Sequence, residues 1–248
     1  MKQAHFHFFE SLNDFLPEDK RAVCFSIDFN GSQSVKHLIE ALGVPHTEVY
    51  RILVNETAVG FDYLVQQNDR IHVFPMPVDI VERGVIPGIA PDILPRFVVD
   101  NHLGRLAAYL RMLGFDTLYN NDFQDKQLAE ITSQEKRWLL TRDRRLLMRK
   151  VVVHGYYVRA TLPRRQLVEV IRRFDLFELI LPFQRCLRCN GRLLPVSKDA
   201  VLNRLEPLTK KYYDEFRMCK SCGKVYWKGS HFQRMNSFIS QLLRDCSK

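Results

Sequence analysis

The chain has 248 residues, 46% of them hydrophobic and 11% aromatic, which is enough to bury the cores of two or three small domains. Lys and Arg number 37 against 28 Asp and Glu, and the resulting formal charge of +9 favours a polyanionic partner. The sequence has neither a run of eighteen apolar residues nor a basic flank leading into an apolar N-terminal segment. We therefore expect no membrane span, no signal peptide and a cytoplasmic location.

The first 76 residues predict a β-grasp domain, in which two strands precede a helix and two strands follow it. The predicted segments are strands at 5–9 and 23–29, a helix at 35–42 capped by Ser34, and strands at 52–54 and 71–74. Segment 54–71 also resembles the sulfur-carrier branch of the ubiquitin-like superfamily, whose members act through a free C-terminal Gly-Gly. Here the chain continues beyond Pro75, so we expect a packing role or an adaptor role toward a protein partner.

A proline-rich stretch follows this domain. Five of the 11 prolines lie within 75–95, which predicts an extended linker rather than a helix. The predicted organisation is a β-grasp domain at 1–76, a linker at 77–95, an α/β domain at 96–182, a zinc-binding segment at 183–235 and a tail at 236–248.

Residues 96–182 predict strands that alternate with helices, and hence a parallel sheet. Short apolar runs at 97–99 and 138–140 indicate buried strands. Between them lies a helical apolar stripe that Gly114 closes, with Arg105 and Arg111 outside it. The remaining predicted elements are strands at 115–119 and 151–153 and helices at 125–134 and from Thr161 onward, the latter with Pro163 in its first turn.

Acidic residues lie at the ends of two of these strands. Asp100 directly follows the first, and the third ends on Thr141-Arg142-Asp143. The carboxyl ends of parallel strands share one edge of a sheet, so we expect the two side chains to converge there. Asp125 is the preferred third carboxylate, and Asp122 is its rival. Clustered carboxylates suit Mg²⁺ or Mn²⁺, ions that orient a phosphodiester and activate water. Thr141 is placed to hydrogen-bond a ligand at the same edge, although threonine is also a common strand former.

Four of the six cysteines form two Cys-x-x-Cys pairs with a glycine close behind each. The pairs are Cys186 with Cys189 and Cys219 with Cys222. This spacing predicts one tetrahedral zinc ion, and a site filled by four thiolates has a structural role. Cys24 and Cys246 lack such neighbours, so we expect plain thiols there.

The segment from Phe97 onward resembles the Mut-7 C-terminal RNase family. The resemblance is carried by Asp100-x-x-x-Gly104-Arg105-Leu106-Ala107, Leu110-Arg111-Met112-Leu113-Gly114-Phe115-Asp116, Leu139-Leu140-Thr141-Arg142-Asp143, Pro182-Phe183-x-Arg185-Cys186-x-x-Cys189-Asn190-Gly191 and Cys219-x-x-Cys222-Gly223-x-x-Tyr226-Trp227-Lys228-Gly229-Ser230-His231. It implies a PIN-like nuclease fold with a zinc ribbon, which some members join to an N-terminal ubiquitin-like domain. It also implies metal-dependent RNA cleavage, with Asp100, Asp125 and Asp143 as the metal ligands.

Basic side chains supply the counter-charge that an RNA substrate requires. The candidate RNA contacts are Arg105, Arg142, Arg144, Arg145, Lys228 and His231. A solvated helix face and a surface turn are the alternative explanations for these residues. We expect Asp116 and Asp175, which lie at element boundaries, to be ordinary turn residues.

The leading interpretation is a cytosolic metal-dependent endoribonuclease. One alternative is a catalytically silent RNA-binding or ribosome-associated protein, in which the ribbon and the basic residues bind and the acids only cap turns. A second alternative is an adaptor whose β-grasp domain recruits a protein partner.

Overall fold

The structure, a computed structural model, describes residues 1–76 and 95–246. The predicted linker at 77–95 lies outside the described residues apart from Pro95. The chain forms two compact units, one of Met1–Ile86 with Gln124–Tyr157 and the other of Pro87–Phe123 with Val158–Lys248. Within the described ranges, no helix combines the length and apolar character needed to cross a bilayer.

The strands are β1 (Lys2–Phe8), β2 (Phe25–Phe29), β3 (Val49–Val54), β4 (Thr57–Val59), β5 (Arg70–Pro75), β6 (Phe97–Val99), β7 (Thr117–Leu118), β8 (Trp138–Thr141), β9 (Gly155–Tyr157), β10 (Leu193–Val196), β11 (Phe216–Cys219) and β12 (Val225–Trp227). The α-helices are α1 (Val35–Ala41), α2 (Gly104–Met112), α3 (Asp125–Glu135), α4 (Arg144–Leu147), α5 (Pro163–Arg173), α6 (Lys198–Val201), α7 (Pro207–Tyr212) and α8 (Ser230–Cys246). Short 3₁₀ helices lie at Glu10–Phe15, Glu18–Lys20, His46–Glu48, Asn101–Leu103, Phe177–Leu179 and Leu202–Arg204.

The N-terminal part of the first unit is a five-stranded mixed sheet in the order β2-β1-β5-β3-β4. Strands β1 and β5 are parallel, and the other neighbours are antiparallel. Alternate residues of β1, including Phe6 and Phe8, are buried against α1 and its neighbours, because successive side chains of a strand point to opposite faces. Ser34 caps α1 by accepting a hydrogen bond from the His37 amide at 3.3 Å. The β-grasp prediction is confirmed.

The sequence pattern missed β4. Asn55 and Glu56 join β3 to β4, and both have positive φ angles, 48° and 69°. Two consecutive residues of this kind form the tight turn whose twist matches an antiparallel hairpin. The turn residues Asn55 and Glu56 were therefore the only local sign of a hairpin. Strand β4 is too short to show an apolar periodicity of its own.

Parallel strand pairs occur in both units. In the first unit β8 pairs with β9, with Leu139 opposite Gly155, and in the second unit β6 pairs with β7, with Phe97 opposite Thr117. Every residue of β6 and β8 is buried, which explains why these strands read as continuous apolar runs. The predicted parallel α/β character is confirmed.

The prediction of a fourth strand at 151–153 is wrong. The strand lies at Gly155–Tyr157, whereas the side chains of Val151 and Val153 are exposed. The Val152 amide donates to the Arg149 carbonyl at 2.9 Å, so these valines belong to a turn after α4. Local turn formation overrides their β propensity.

Helix α2 has the apolar stripe that the sequence predicted, with Leu106, Ala107 and Leu110 buried. Gly114 follows it with a φ of 103°, and a Cβ atom there would collide with the Leu181 carbonyl. Helix α5 begins at Pro163 rather than at the predicted Thr161. Proline is favoured at the first helical position because its missing N–H would be unpaired there in any case.

The C-terminal part of the second unit is a small antiparallel sheet in the order β10-β11-β12. Its cores are small. Cys186, Leu193 and Cys219 form one buried cluster, and a second cluster lies around Phe216. So few buried side chains supply little hydrophobic stabilisation, as is usual for small domains that depend on a metal ion.

Within the first unit, the β-grasp domain packs against the segment that carries β8 and β9. The Arg144 guanidinium donates to the Phe15 carbonyl at 3.0 Å and lies over the rings of Phe15 and Tyr157, at 5.0 and 5.7 Å. The Tyr157 amide donates to the buried Glu48 carboxylate at 2.6 Å. These contacts give Arg144 a packing role inside the unit.

Candidate metal centres and active-site residues

The structure brings the four predicted zinc ligands together. Their sulfur atoms lie within 4.8 Å of one another, with Cys186 and Cys222 3.7 Å apart and Cys189 and Cys219 3.4 Å apart. Within the part of the chain that the structure describes, this is the one group of three or more His, Cys, Asp or Glu side chains close enough to share an ion. Four sulfur donors converging on one point fit tetrahedral zinc, so the cysteines can bind one zinc ion.

Tyr226 supports this cluster from the side. Its hydroxyl lies 3.1 Å from the Cys186 sulfur and accepts a hydrogen bond from the Leu187 amide at 3.2 Å. Burial acts to raise the pKa of Cys186, but the hydrogen bonds from Tyr226 and from the Cys189 and Arg188 amides outweigh it and lower this pKa to about 6. A thiol that ionises near neutral pH is ready to bind a metal ion.

Arg111 is buried beside the zinc knuckle, contrary to the prediction from the sequence. It was expected outside the apolar stripe of α2, but it is only 4% exposed. Its guanidinium donates to the carbonyls of Thr117 at 2.8 Å and of Leu187 and Arg188 at 3.1 Å each, with a longer contact of 3.4 Å to that of Tyr119. Leu187 and Arg188 are the two residues between the first pair of cysteines. A planar guanidinium can satisfy several carbonyls at once, so Arg111 joins α2 and the β7 region to the zinc knuckle.

A second connection runs through Asn190, which directly follows Cys189. Asn190 has a φ of 69°, accepts from the Thr117 amide at 3.0 Å and donates to the Asp116 carboxylate at 2.7 Å. Arg185 forms an ion pair with the same carboxylate at 3.1 Å. Asp116 is therefore a link to the knuckle, and its treatment as an ordinary turn residue was wrong. The Cys-x-x-Cys-Asn-Gly pattern carried the signal, because asparagine is one of the few residues that tolerate positive φ.

Asp100 follows β6 directly and is 6% exposed. Its side chain accepts a long hydrogen bond of 3.4 Å from the His102 amide, at the start of the 3₁₀ helix Asn101–Leu103. Gly104, four residues after Asp100, begins α2, and a Cβ atom there would collide with the Tyr119 hydroxyl. The Asp-x-x-x-Gly pattern thus sets both the end of a buried strand and the close packing of the next helix.

Asp143 caps the helix that follows β8. Its Oδ1 atom accepts from the amides of Arg145 at 2.7 Å and Leu146 at 3.3 Å. The buried hydroxyl of Thr141 accepts from the Asp143 amide at 2.9 Å. Thr141 therefore holds the backbone of Asp143, so that the carboxylate has a defined direction.

Asp125 and Asp122 differ in their surroundings. Asp125 is the first residue of α3, its side chain is 55% exposed, and it forms an ion pair with Arg149 at 3.5 Å. Asp122 is exposed in the preceding turn, where its amide donates to the Asn120 side chain at 3.2 Å. Asp125 and Asp143 belong to the first compact unit, whereas Asp100 and Asp122 belong to the second. Their joint action on one metal ion remains a prediction.

The predicted RNA contacts are distributed along the chain. Arg105 is exposed on α2, Arg145 is exposed on α4 and Arg142 is half-buried. Lys228 is exposed and pairs with Glu215 at 2.6 Å, and the exposed His231 is in the first turn of α8. In contrast, the Arg144 side chain contacts Phe15 and Tyr157 as described above.

Comparison with known proteins gives the family of the chain. The sequence profile described as Mut7-C RNAse domain matches residues 95–239, and the profile described as Mut7-C ubiquitin matches residues 1–81. Two crystal structures of small archaeal modifier protein 1 from Haloferax volcanii are 17% identical to the chain, cover 30% of it and 98% and 96% of the modifier, and have a TM-score of 0.25. None of the curated proteins compared matches the chain. Because the RNase profile spans more than half of the sequence, the protein belongs to the Mut7-C RNase domain family, with an N-terminal Mut7-C ubiquitin-like domain.

Proposed function

We propose that this protein is a cytoplasmic, metal-dependent endoribonuclease that hydrolyses RNA phosphodiesters by means of aspartates at the carboxyl ends of its strands and at the start of α3. The observation that carries the proposal is the position of two aspartates at the carboxyl ends of fully buried strands, Asp100 directly after β6 and Asp143 two residues after β8, within the segment that matches the RNase profile. In α/β folds with parallel strands, ligands bind at the carboxyl ends of the strands.

The donors fit a hard cation. Asp100, Asp143 and Asp125 offer only carboxylate oxygens, the ligands that Mg²⁺ and Mn²⁺ prefer, and we propose that these three hold the catalytic ion. When bound, such an ion polarises the phosphate and favours ionisation of an attacking water.

The protein's own contribution is rigidity and counter-charge. Thr141 and the α4 amides fix Asp143, and burial of Asp100 disfavours its solvation by bulk water. Asp125 would exchange its exposed partner Arg149 for the ion. An exposed ion pair is worth less than about 1 kcal/mol, so this exchange costs little.

We assign the zinc ion a structural role, because four thiolates leave no open coordination position for a substrate. For RNA we propose contacts with Arg105, Arg142, Arg145, Lys228 and His231, whose positive charge or hydrogen-bonding groups suit phosphates. Arg144 is left out of this set because its guanidinium already contacts Phe15 and Tyr157.

The experiment compares isosteric substitutions in a cleavage assay with zinc-loaded protein, varied RNA substrates and Mg²⁺ or Mn²⁺. Asp100→Asn and Asp143→Asn should lower cleavage at least 100-fold while the melting temperature stays near that of the wild type. Asparagine is as good a helix cap as aspartate, so these variants remove mainly charge. Asp125→Asn should exceed Asp122→Asn in effect. Wild-type protein that cleaves no RNA in either metal would refute the proposal.

A silent RNA-binding protein, associated with ribosomes or not, is the second candidate. The capping bonds of Asp100 and Asp143 already give both carboxylates a local role, which favours this alternative. It predicts that Asp100→Asn binds RNA as the wild type does and that neither protein cleaves. Titration with Mn²⁺ separates the candidates, because the silent protein should show no paramagnetic broadening of resonances near Asp100.

An adaptor role of the β-grasp domain is a third candidate, supported by a row of half-buried rings on one face of its sheet. His7 stacks on Phe9 at 4.4 Å, Phe9 stacks on Phe74 at 4.3 Å, and the Arg51 guanidinium lies 4.8 Å from the Phe74 ring. Phe9→Ser should abolish recruitment of a protein partner without changing cleavage. An equal loss of RNA cleavage would assign these rings to the nuclease instead.

A further inference from the structure

The ribbon, residues 183–235, lines a half-open cavity of about 600 Å³ that the proposed catalytic residues do not use. Two separate stretches of the sequence meet there, Pro182 to Arg185 before the first cysteine pair and Tyr226 to Lys228 after the second, with Phe232 of α8 completing the wall. A volume of this size lies within the range of about 300–1,000 Å³ that is usual for ligand sites. The cavity lies entirely within the second compact unit.

One wall of this ribbon cavity is held in a strained conformation. Phe183 has a φ of 61°, which is unusual for a bulky side chain. Its amide donates to the Met112 carbonyl at 3.0 Å, and its carbonyl accepts from the Arg217 guanidinium at 2.8 Å. The ring of Phe183 lies 4.4 Å from that of Phe232. Hydrogen bonds on both sides of Phe183 hold its backbone in this strained conformation. The aromatic wall is therefore in position before a ligand binds.

The lining of the cavity includes an exposed aromatic ring and an exposed positive charge. Trp227 is 38% exposed although indole is among the largest apolar groups. Beside it, Lys228 pairs with Glu215 at 2.6 Å, and both side chains are exposed, at 63% and 77%. A pair in such contact with water contributes little free energy, so Lys228 can exchange Glu215 for another anion.

The charge of the ribbon identifies the kind of ligand. Residues 183–235 contain twelve Lys and Arg and four Asp and Glu, a net charge of +8 out of +9 for the whole chain. Zinc held by four thiolates would add −2, which still leaves a strongly basic segment. Positive charge around exposed aromatic rings is the combination that binds single-stranded nucleic acid, because bases stack on rings while Lys and Arg follow the phosphates.

We propose that the ribbon cavity binds an unpaired base of the RNA, which stacks against Trp227 while Lys228 contacts the adjoining phosphate. The substrate class is then single-stranded RNA, since a paired base cannot leave its stack without losing its partner. This inference rests on the proposed function only for the identity of the nucleic acid, and it concerns binding rather than cleavage.

The test measures binding of the zinc-loaded full-length protein in the Asp100→Asn background, so that no RNA is consumed. The probes are a fluorescein-labelled oligouridylate of 12 nucleotides and a blunt RNA duplex of 12 base pairs. Stacking is worth about 1–3 kcal/mol per base, so Trp227→Ala should weaken binding of the single strand by about 5- to 150-fold and leave duplex binding nearly unchanged. Trp227→Phe should restore most of the affinity.

Two variants of exposed ribbon residues outside the cavity serve as controls. Tyr212, 64% exposed, is the aromatic control, and Tyr212→Ala should bind as the parent does. Lys228→Ala should reduce the slope of log affinity against log salt by about 0.7. Lys220 lies outside the cavity lining, so Lys220→Ala is the charge control. Lys228→Ala should weaken binding of the single strand more than Lys220→Ala does.

Quenching of tryptophan fluorescence gives an independent measurement of base stacking. The chain has two tryptophans, and Trp138 is buried whereas Trp227 is exposed. The oligouridylate should therefore quench fluorescence in the parent and cause no quenching in Trp227→Phe.

Equal binding by Trp227→Ala and Tyr212→Ala would overturn the proposal, as would equal losses for single strand and duplex. If the protein bound an acidic peptide but not the oligouridylate, the cavity would be assigned to a protein partner instead. Cleavage by the wild type with no effect of Trp227→Ala refutes only the base site. Binding through Trp227 without any cleavage refutes only the nuclease.

Discussion

Replacement of Arg111 by methionine removes the central contact between α2 and the zinc knuckle. The change keeps the aliphatic volume but leaves the carbonyls of Thr117, Leu187 and Arg188 without their guanidinium partner. The bond to Thr117 is buried and the other two are partly buried. A hydrogen bond from a charged donor contributes about 1.5–3 kcal/mol, and neighbouring losses relax together, so we expect the free energy of unfolding to fall by about 3–5 kcal/mol. For a chain of this size the melting temperature should fall by about 6–20 °C.

The same change should weaken zinc binding. Leu187 and Arg188 lie between Cys186 and Cys189, so Arg111 fixes the loop that orients these two ligands. Burial lowers the pKa of Arg111, and the Cys186 and Cys189 thiolates act in the opposite direction, so that the guanidinium stays charged beside the cluster. Loss of an outer group that orients metal ligands usually costs about 10- to 100-fold in metal affinity.

The assay is competition for zinc with a chromogenic chelator, followed by thermal unfolding of the zinc-loaded protein. Arg105→Met is the matched control, because Arg105 lies on the same helix and is exposed. Arg111→Lys keeps the charge but cannot reach three carbonyls at once, so it should fall between the two variants. Equal zinc affinity in Arg111→Met and Arg105→Met would refute the reasoning.

Three further predictions concern the zinc, the first unit and pH. The purified protein should contain about one zinc ion per chain. Cys222→Ser should lose this zinc and unfold the ribbon, while the β-grasp domain stays folded. Full zinc content in Cys222→Ser would contradict the proposed ligand set. Arg144→Glu should destabilise the protein by about 1–3 kcal/mol in urea unfolding, whereas Arg145→Glu should be nearly neutral, and equal effects would disprove the packing role of Arg144. Burial, followed by the charge of Lys136, lowers the pKa of His154. Below about pH 6.5 the unfolded state then binds more protons, so stability should decrease as pH falls from 7 toward 5, and His154→Gln should lessen that decrease. Unaltered pH dependence in His154→Gln would rule this out.

Much of the fold was predictable because its signals are local. The apolar runs of β6 and β8, the stripe of α2 and the cap at Ser34 all come from short-range periodicity or side-chain chemistry. The cysteine spacing predicted the sulfur cluster for the same reason, since each pair closes on itself within a turn. These elements needed no knowledge of distant contacts.

What sequence reasoning missed depends on contacts between distant residues. Arg111 looked like a surface residue because its polar head meets carbonyls up to 77 positions away. Asp116 looked like a turn residue because Asn190 is 74 positions from it. Val153 has high β propensity, yet the chain turns there and the strand forms two residues later at Gly155. The aspartates of the proposed active site stay a prediction for the same reason, since no short-range pattern fixes their relative positions.

The β-grasp domain and the RNase segment are not interchangeable modules. The first compact unit takes its residues from both sides of Pro87–Phe123, so the end of the ubiquitin-like match is not a safe place to cut the gene. A fragment that starts at Pro95 would keep the whole RNase match but lose the acceptor of the Tyr157 amide and the ring under the Arg144 guanidinium. Selection on RNase residues therefore also constrains Phe15 and Glu48, and we expect the two parts to have changed together during evolution.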